Sequence, residues 1–180
     1  MIDSAQNALP LLQKALALTD KHDYASLSNV ECTLGDTYYK LNMTDSAFIH
    51  YDLALELDPA NLLAMNNCAY YLACLNKDLE RAENLSYKSI QEEPENPTYL
   101  DTYAWVLFKL KKFGDAKSYI DKAFELEEEP SAELFEHAGD IYFMNLLPSD
   151  AIYYWKKDLE LDPANTTLQR KIKEKIYIPE

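Results

Sequence analysis

Histidines and cysteines, the side chains most often used to attack or ligate, number three each, and few of them fall close together. His137 stands beside Glu136 and three residues before Asp140, a grouping that in principle offers a metal site or an acid–base pair. His22 and His50 fall in other segments, and neither an HExxH nor a CxxC spacing occurs. His137 therefore reads as a histidine on a helix surface. Cys32, Cys68 and Cys74 form no paired framework and match no zinc spacing. Cys74 has no basic neighbour that would favour its thiolate, so it reads as a small buried or half-buried side chain. With only three glycines in the chain, no phosphate-cradling loop is available. The expectation is a protein that is not an enzyme, with no cofactor and no metal.

Charge narrows the partners. A formal net charge of −14 argues against nucleic acid and anionic membrane, both of which call for positive charge. The partner expected is a protein or peptide, neutral to basic, with apolar or aromatic side chains. Apolar residues make up 48% of the chain, enough for a sizeable core. No apolar run approaches the roughly 18 residues of a membrane span. The first residues, MIDSAQNALP, lack the basic start and apolar stretch of a signal peptide. These features predict a soluble chain without membrane insertion, cytoplasmic or, for a trimmed fragment, periplasmic or envelope-associated.

What must position these side chains is a repeat. ELDPAN is written at 56–61 and again at 160–165, with a degraded copy, EEPEN, between them. Prolines 59, 94 and 163 are 35 and 69 residues apart, and 69 is one unit of 34 plus one of 35. Such a period marks a stacked-repeat architecture. Placing each proline at position 32 gives units 28–61, 62–96, 97–131 and 132–165. Position 8 is Gly35, Ala69, Ala104 and Gly139, and position 20 is alanine in all four units. Small residues there predict close helix approach, since glycine inside a helix costs about 1 kcal/mol against alanine. The third unit has Glu128 in place of the proline, which predicts a different turn. One inserted residue is expected near Asn76–Asp78.

In register, Leu34, Gly35, Tyr38, Ala47, Tyr51 and Ala54 of the first unit, and Ala138, Gly139, Tyr142, Ala151, Trp155 and Pro163 of the fourth, resemble the tetratricopeptide repeat. The resemblance implies an all-α fold, a right-handed α-solenoid of antiparallel helix pairs, with first helices lining a concave groove. Residues 1–27 are expected to form a half repeat plus a loop around Lys21–Ser26, and 166–180 a capping helix. In that helix Leu168, Ile172 and Ile176 form the apolar face, with Lys171 among the solvent-facing cations.

By the same analogy the groove is lined by Tyr39, Asn66, Asn67, Tyr70, Asp101, Trp105, Phe108, Glu136, His137, Asp140 and Phe143. Aromatic rings would hold apolar or aromatic peptide side chains. Asn66 and Asn67 would bond an extended backbone, and Asp101, Glu136 and Asp140 would favour a basic residue. The carboxylate clamp of chaperone-binding family members is not expected, because Cys32, Asp36, Thr98 and Thr102 stand at its matching positions and only Asn67 agrees. The reading is a non-catalytic interaction scaffold that binds an extended peptide or partner helix. The alternatives are a structural or assembly segment of a larger envelope-associated bacterial repeat protein, similar to the C-terminal repeats of such proteins, or an accessory module of an enzyme encoded elsewhere in the full-length chain.

Overall fold

The computed structural model describes residues 2–179. Its described elements are helices: α1 (Ile2–Leu18), α2 (Tyr24–Lys40), α3 (Thr44–Leu57), α4 (Leu62–Cys74), α5 (Leu79–Glu92), α6 (Pro97–Lys109), α7 (Phe113–Leu126), α8 (Ala132–Met144), α9 (Pro148–Leu161) and α10 (Thr166–Glu174). They divide into two units, Met1–Tyr71 and Leu72–Glu180. In the first, α2 packs on α1 and α3; in the second, α6 packs on α7 and α8 on α9.

The backbone repeats as the letters do. Asn42, Asn76, Lys111 and Leu146 all have positive φ, between 50° and 63°, at steps of 34, 35 and 35 residues. Each ends a first helix. The amide of the next residue reaches back five positions, from Met43 to Tyr38, Lys77 to Leu72, Lys112 to Leu107 and Leu147 to Tyr142. This is the six-to-one bond of a left-handed helix stop. Glycine is the residue that tolerates such φ without cost, and none of the four positions has it. The extra residue of the second repeat is taken up by a second left-handed residue, Asp78 at φ 39°, which also caps α5 by accepting from the Arg81 amide.

ELDPAN is punctuation for the other turn. Asp58 accepts from the Ala60 amide and Asn61 from the Ala64 amide. Asp162 and Asn165 do the same for Ala164 and Leu168. One side chain closes the turn after the proline and the other caps the next helix. In the third repeat 127–130 bends without the hydrogen-bonded turn, Glu127 accepting from the Glu129 amide at 3.3 Å, and Ser131 takes over the cap by accepting from the Leu134 amide.

Alanines 47, 82, 116 and 151, all at position 20, are fully buried. Gly35 and Gly139 are contacts rather than hinges. A Cβ on Gly35 would meet the Tyr51 ring at 2.7 Å, and one on Gly139 would overlap the Trp155 indole. Where the first helix has glycine, the second helix brings a large ring; in the third repeat Ala104 is matched by the smaller Ile120.

The flanks differ from the expectation in three ways. The segment Tyr24–Leu27 belongs to α2, started by Asp23, whose side chain accepts from the Ser26 amide; the loop before it is correspondingly shorter. The last helix ends at Glu174, because Lys175 turns left-handed at φ 54°. Ile176 therefore lies beyond the helix and is not part of its apolar face. Lys171, expected in solvent, has no exposed surface at all.

Candidate functional site

In the first unit the polar side chains converge on Asp36. Its carboxylate accepts a short hydrogen bond from the Tyr51 hydroxyl and two from the Asn67 amide, at 3.1 and 3.2 Å. Asn66 donates in turn to the Asn67 carbonyl at 3.3 Å, while its own Oδ1 is buried without a partner. Burial raises the Asp36 pKa, against the Tyr51 and Asn67 hydrogen bonds and the charge of Lys40. Around this centre Tyr39 stacks on Tyr71 at 3.8 Å between centroids, and Tyr70 meets Tyr71 edge-on at 5.3 Å. Cys32 is buried, and desolvation, with the nearby Asp36 and Cys68, pushes its thiol up to about 12. Such a thiol is not a nucleophile near neutral pH.

The second unit repeats the arrangement with heavier groups. Asp140 accepts from the Trp155 indole N–H at 2.9 Å, as Asp36 does from Tyr51. The role of Asn67 is taken by Lys171, whose ammonium donates to both Asp140 oxygens at 2.8 and 2.9 Å and to Glu136 at 2.9 Å. Burial lifts the Asp140 pKa to about 6 against the pull of Lys171. Desolvation would lower the Lys171 pKa, but the two carboxylates outweigh it and raise it. Nearby, Asp158 stands where repeats one and three have the buried alanines Ala54 and Ala123. It is buried, its Oδ2 has no partner, and burial together with Glu136 and Asp162 lifts its pKa to about 7.

Beside this cluster lies an aromatic stack. Trp105 sits between Phe108 (4.9 Å between centroids, 7° between planes) and the His137 ring (4.1 Å, 16°). The Lys109 ammonium is 4.5 Å from the Trp105 centroid. His137 Nδ1 is 2.8 Å from Asp101 Oδ1. Burial disfavours the imidazolium, yet Asp101, with Glu133 and Asp140, raises the His137 pKa overall. A charged imidazolium bridging Asp101 and the Trp105 face is the arrangement favoured.

A family model described as the tetratricopeptide repeat matches residues 32–61 and 98–130. Those two segments are tetratricopeptide repeats. The chain is 30% identical over 83 residues to a TPR repeat-containing protein of Pseudomonas aeruginosa, covering 46% of this chain and 14% of that one. It is 26% identical over 140 residues to the human tetratricopeptide repeat protein 13, covering 75% of this chain and 16% of that one. The chain thus spans about one seventh of the length of the curated relatives it matches. Among solved structures, PilF of Pseudomonas aeruginosa matches with a TM-score of 0.68 at 21% identity, over 82% of this chain and 66% of that one. A tetratricopeptide repeat protein from Parabacteroides merdae matches with 0.69 at 22%, over 96% and 68%.

Several expected groove residues are placed otherwise than expected. Trp105 and Phe108 are 2% and 4% exposed, covered rather than open, because His137, Lys109 and a ring from the C-terminal segment lie on them. His137 is buried and ion-paired, not a surface histidine. Asp140 and Glu136 are engaged by Lys171 and do not wait for a basic ligand. Asn66 is buried. Tyr39, Asn67, Tyr70 and Phe143 are half-buried, Phe143 stacking on Trp155 at 5.5 Å. Asp101 remains partly open at 15% of its side chain. The sequence alone does not single out Lys171 or Asp158 as part of this site. The signal for Lys171 was its register, since it stands in α10 where Asn67 stands in α4 and His137 in α8, and all three reach back to a carboxylate of the preceding first helix. Among the described residues no group of histidine, cysteine and carboxylate side chains is arranged to hold a metal ion, and no helix is long and apolar enough to cross a membrane.

Proposed function

We propose that the chain is a non-catalytic scaffold that holds an extended peptide or a partner helix on the face of its first helices. Tetratricopeptide folds serve protein–protein interaction, and the finer reading rests on what the first helices carry. The observation that carries it is the placement of unsatisfied groups. Of three buried side-chain polar atoms without a partner among the described residues, two, Asn66 Oδ1 and Trp105 Nε1, belong to first helices at groove register. Buried polar atoms are almost always paired, so each unit, taken by itself, carries one first-helix position that a backbone group of a ligand would satisfy. Half-buried Tyr39 and Tyr70 offer rings beside the first. A cleft in the second unit, lined by Asp101, Glu127, Glu129 and Glu133, favours a neutral to basic partner over an acidic one.

A phage-displayed library of random twelve-residue peptides, selected on the immobilised chain, tests this reading. Selected peptides should be enriched in aromatic and basic residues and should bind Tyr70→Ala and Phe108→Leu variants at least tenfold more weakly. Peptides that bind both variants as well as the parent would move the site to the second helices and end the proposal.

A further inference from the structure

The ring that covers Phe108 comes from the chain itself. After α10, Lys175 turns left-handed and the Ile176 amide reaches back to the Lys171 carbonyl at 3.3 Å. The turn leads into a segment, Ile176-Tyr177-Ile178-Pro179, that belongs to no helix. Tyr177 then meets Phe108 edge-on, 5.7 Å between centroids and 77° between planes. The ammonium of Lys171 lies 5.8 Å from the centroid of the same ring. Both the Tyr177 and Ile178 side chains are half-buried. Beneath Phe108 lies Trp105, whose indole N–H is buried without an acceptor.

These contacts describe a seat for an aromatic side chain. Its floor is the stacked Trp105–Phe108 pair, its flank a buried cation that attracts a ring face, and its occupant a non-helical segment carrying one ring between two aliphatic residues. An edge-to-face contact and a cation–π contact are each made by any ring delivered at that point, so neither depends on the ring being Tyr177.

We propose that this seat recognises an aromatic residue borne on an extended peptide segment of a partner, and that Tyr177 occupies it in the absence of one. The proposal rests on the first-helix reading above and gives it a ligand class and a gate. A tethered segment competes at an effective concentration on the order of millimolar, so a partner must carry more than the aromatic anchor to displace it.

The test uses the full chain. The hexapeptide Lys-Ile-Tyr-Ile-Pro-Glu, the sequence of residues 175–180, is titrated to millimolar concentration into ¹⁵N-labelled wild type and into Tyr177→Ala, with amide shifts as readout. The Tyr177→Ala chain should bind it with a Kd at least tenfold lower than wild type, with shifts in α6 and around His137, and a peptide with alanine for tyrosine should not bind. Adding Phe108→Leu to Tyr177→Ala should abolish the shifts, provided circular dichroism shows an unchanged fold. The comparison of wild type with Tyr177→Ala stands even where that double variant does not fold. Equal affinities for the two chains, absence of binding to Tyr177→Ala, or shifts confined to other helices would each overturn the proposal. The first-helix reading is judged separately by the phage-selected peptides. If these lose affinity on Tyr70→Ala and Phe108→Leu but are indifferent to Tyr177→Ala, the gate is refuted and the reading survives. If they ignore all three substitutions, the reading itself fails.

Discussion

In the first and last repeats a Gly-Asp pair is followed, fifteen residues after the aspartate, by the ring that needs both residues. Gly35 and Gly139 make room for Tyr51 and Trp155, and Asp36 and Asp140 take their hydrogens. Gly139→Leu should therefore destabilise the chain by about 3 kcal/mol or more through overpacking. Gly114→Ala, where an added Cβ meets nothing within 4 Å, should leave thermal melting unchanged or raise it. Leu146 gives a prediction of the opposite sign. It is 87% exposed and left-handed at φ 63°, so Leu146→Gly removes strain and little packing. A gain of about 1 kcal/mol in urea denaturation is expected. The glycine contact was legible in the sequence, because a helical glycine needs a reason. The task of Asp36 and Asp140 was not. A carboxylate on a first helix reads equally as ligand-binding or as claimed by a ring, and only the fold brings the ring within reach.

Helix α10 is short, and its seating depends on one buried charge. Lys171 satisfies Asp140 and Glu136 from the position that Asn67 holds in α4. Removing one partner of a buried ion pair strands the other, typically at about 3–5 kcal/mol. Lys171→Met should lower stability by that order and let the α10 amides exchange with solvent far faster than those of α8. An unchanged exchange pattern would mean that Leu168 alone docks the helix. The length of α10 and the burial of Leu168 follow from the amphipathic pattern. Burial of Lys171 does not, since a lysine among lysines near a chain end reads as solvated, and its two carboxylates lie 31 and 35 residues away. Turn positions were legible to within a few residues from proline, asparagine and aspartate. Their left-handed φ was hidden, because none of the four residues there is glycine.

At the scale of the molecule, the buried acids set how stability follows pH. Asp140 and Asp158 titrate at about 6 and about 7 in the folded chain, above the ordinary carboxylate value near 4. A carboxyl whose folded pKa is raised stabilises on the acid side and loses that contribution as pH rises through the shifted value. Asp36 and His137, both shifted upward, act with the same sign, and so does repulsion within a chain of net charge −14. The melting temperature should fall between pH 5 and pH 8. Asp158→Ala, which restores the residue found at that position in repeats one and three, should raise it at pH 8 by several degrees and change it little at pH 5. A gain equal at both values would show that packing, not ionisation, is the cause. The most direct test of the account as a whole is amide hydrogen exchange of the full chain with and without a phage-selected peptide. Protection should appear in first helices, in α2 of the first unit or in α6 and α8 of the second, while the second helices α3, α7 and α9 stay unchanged. Protection confined to the second helices would contradict it.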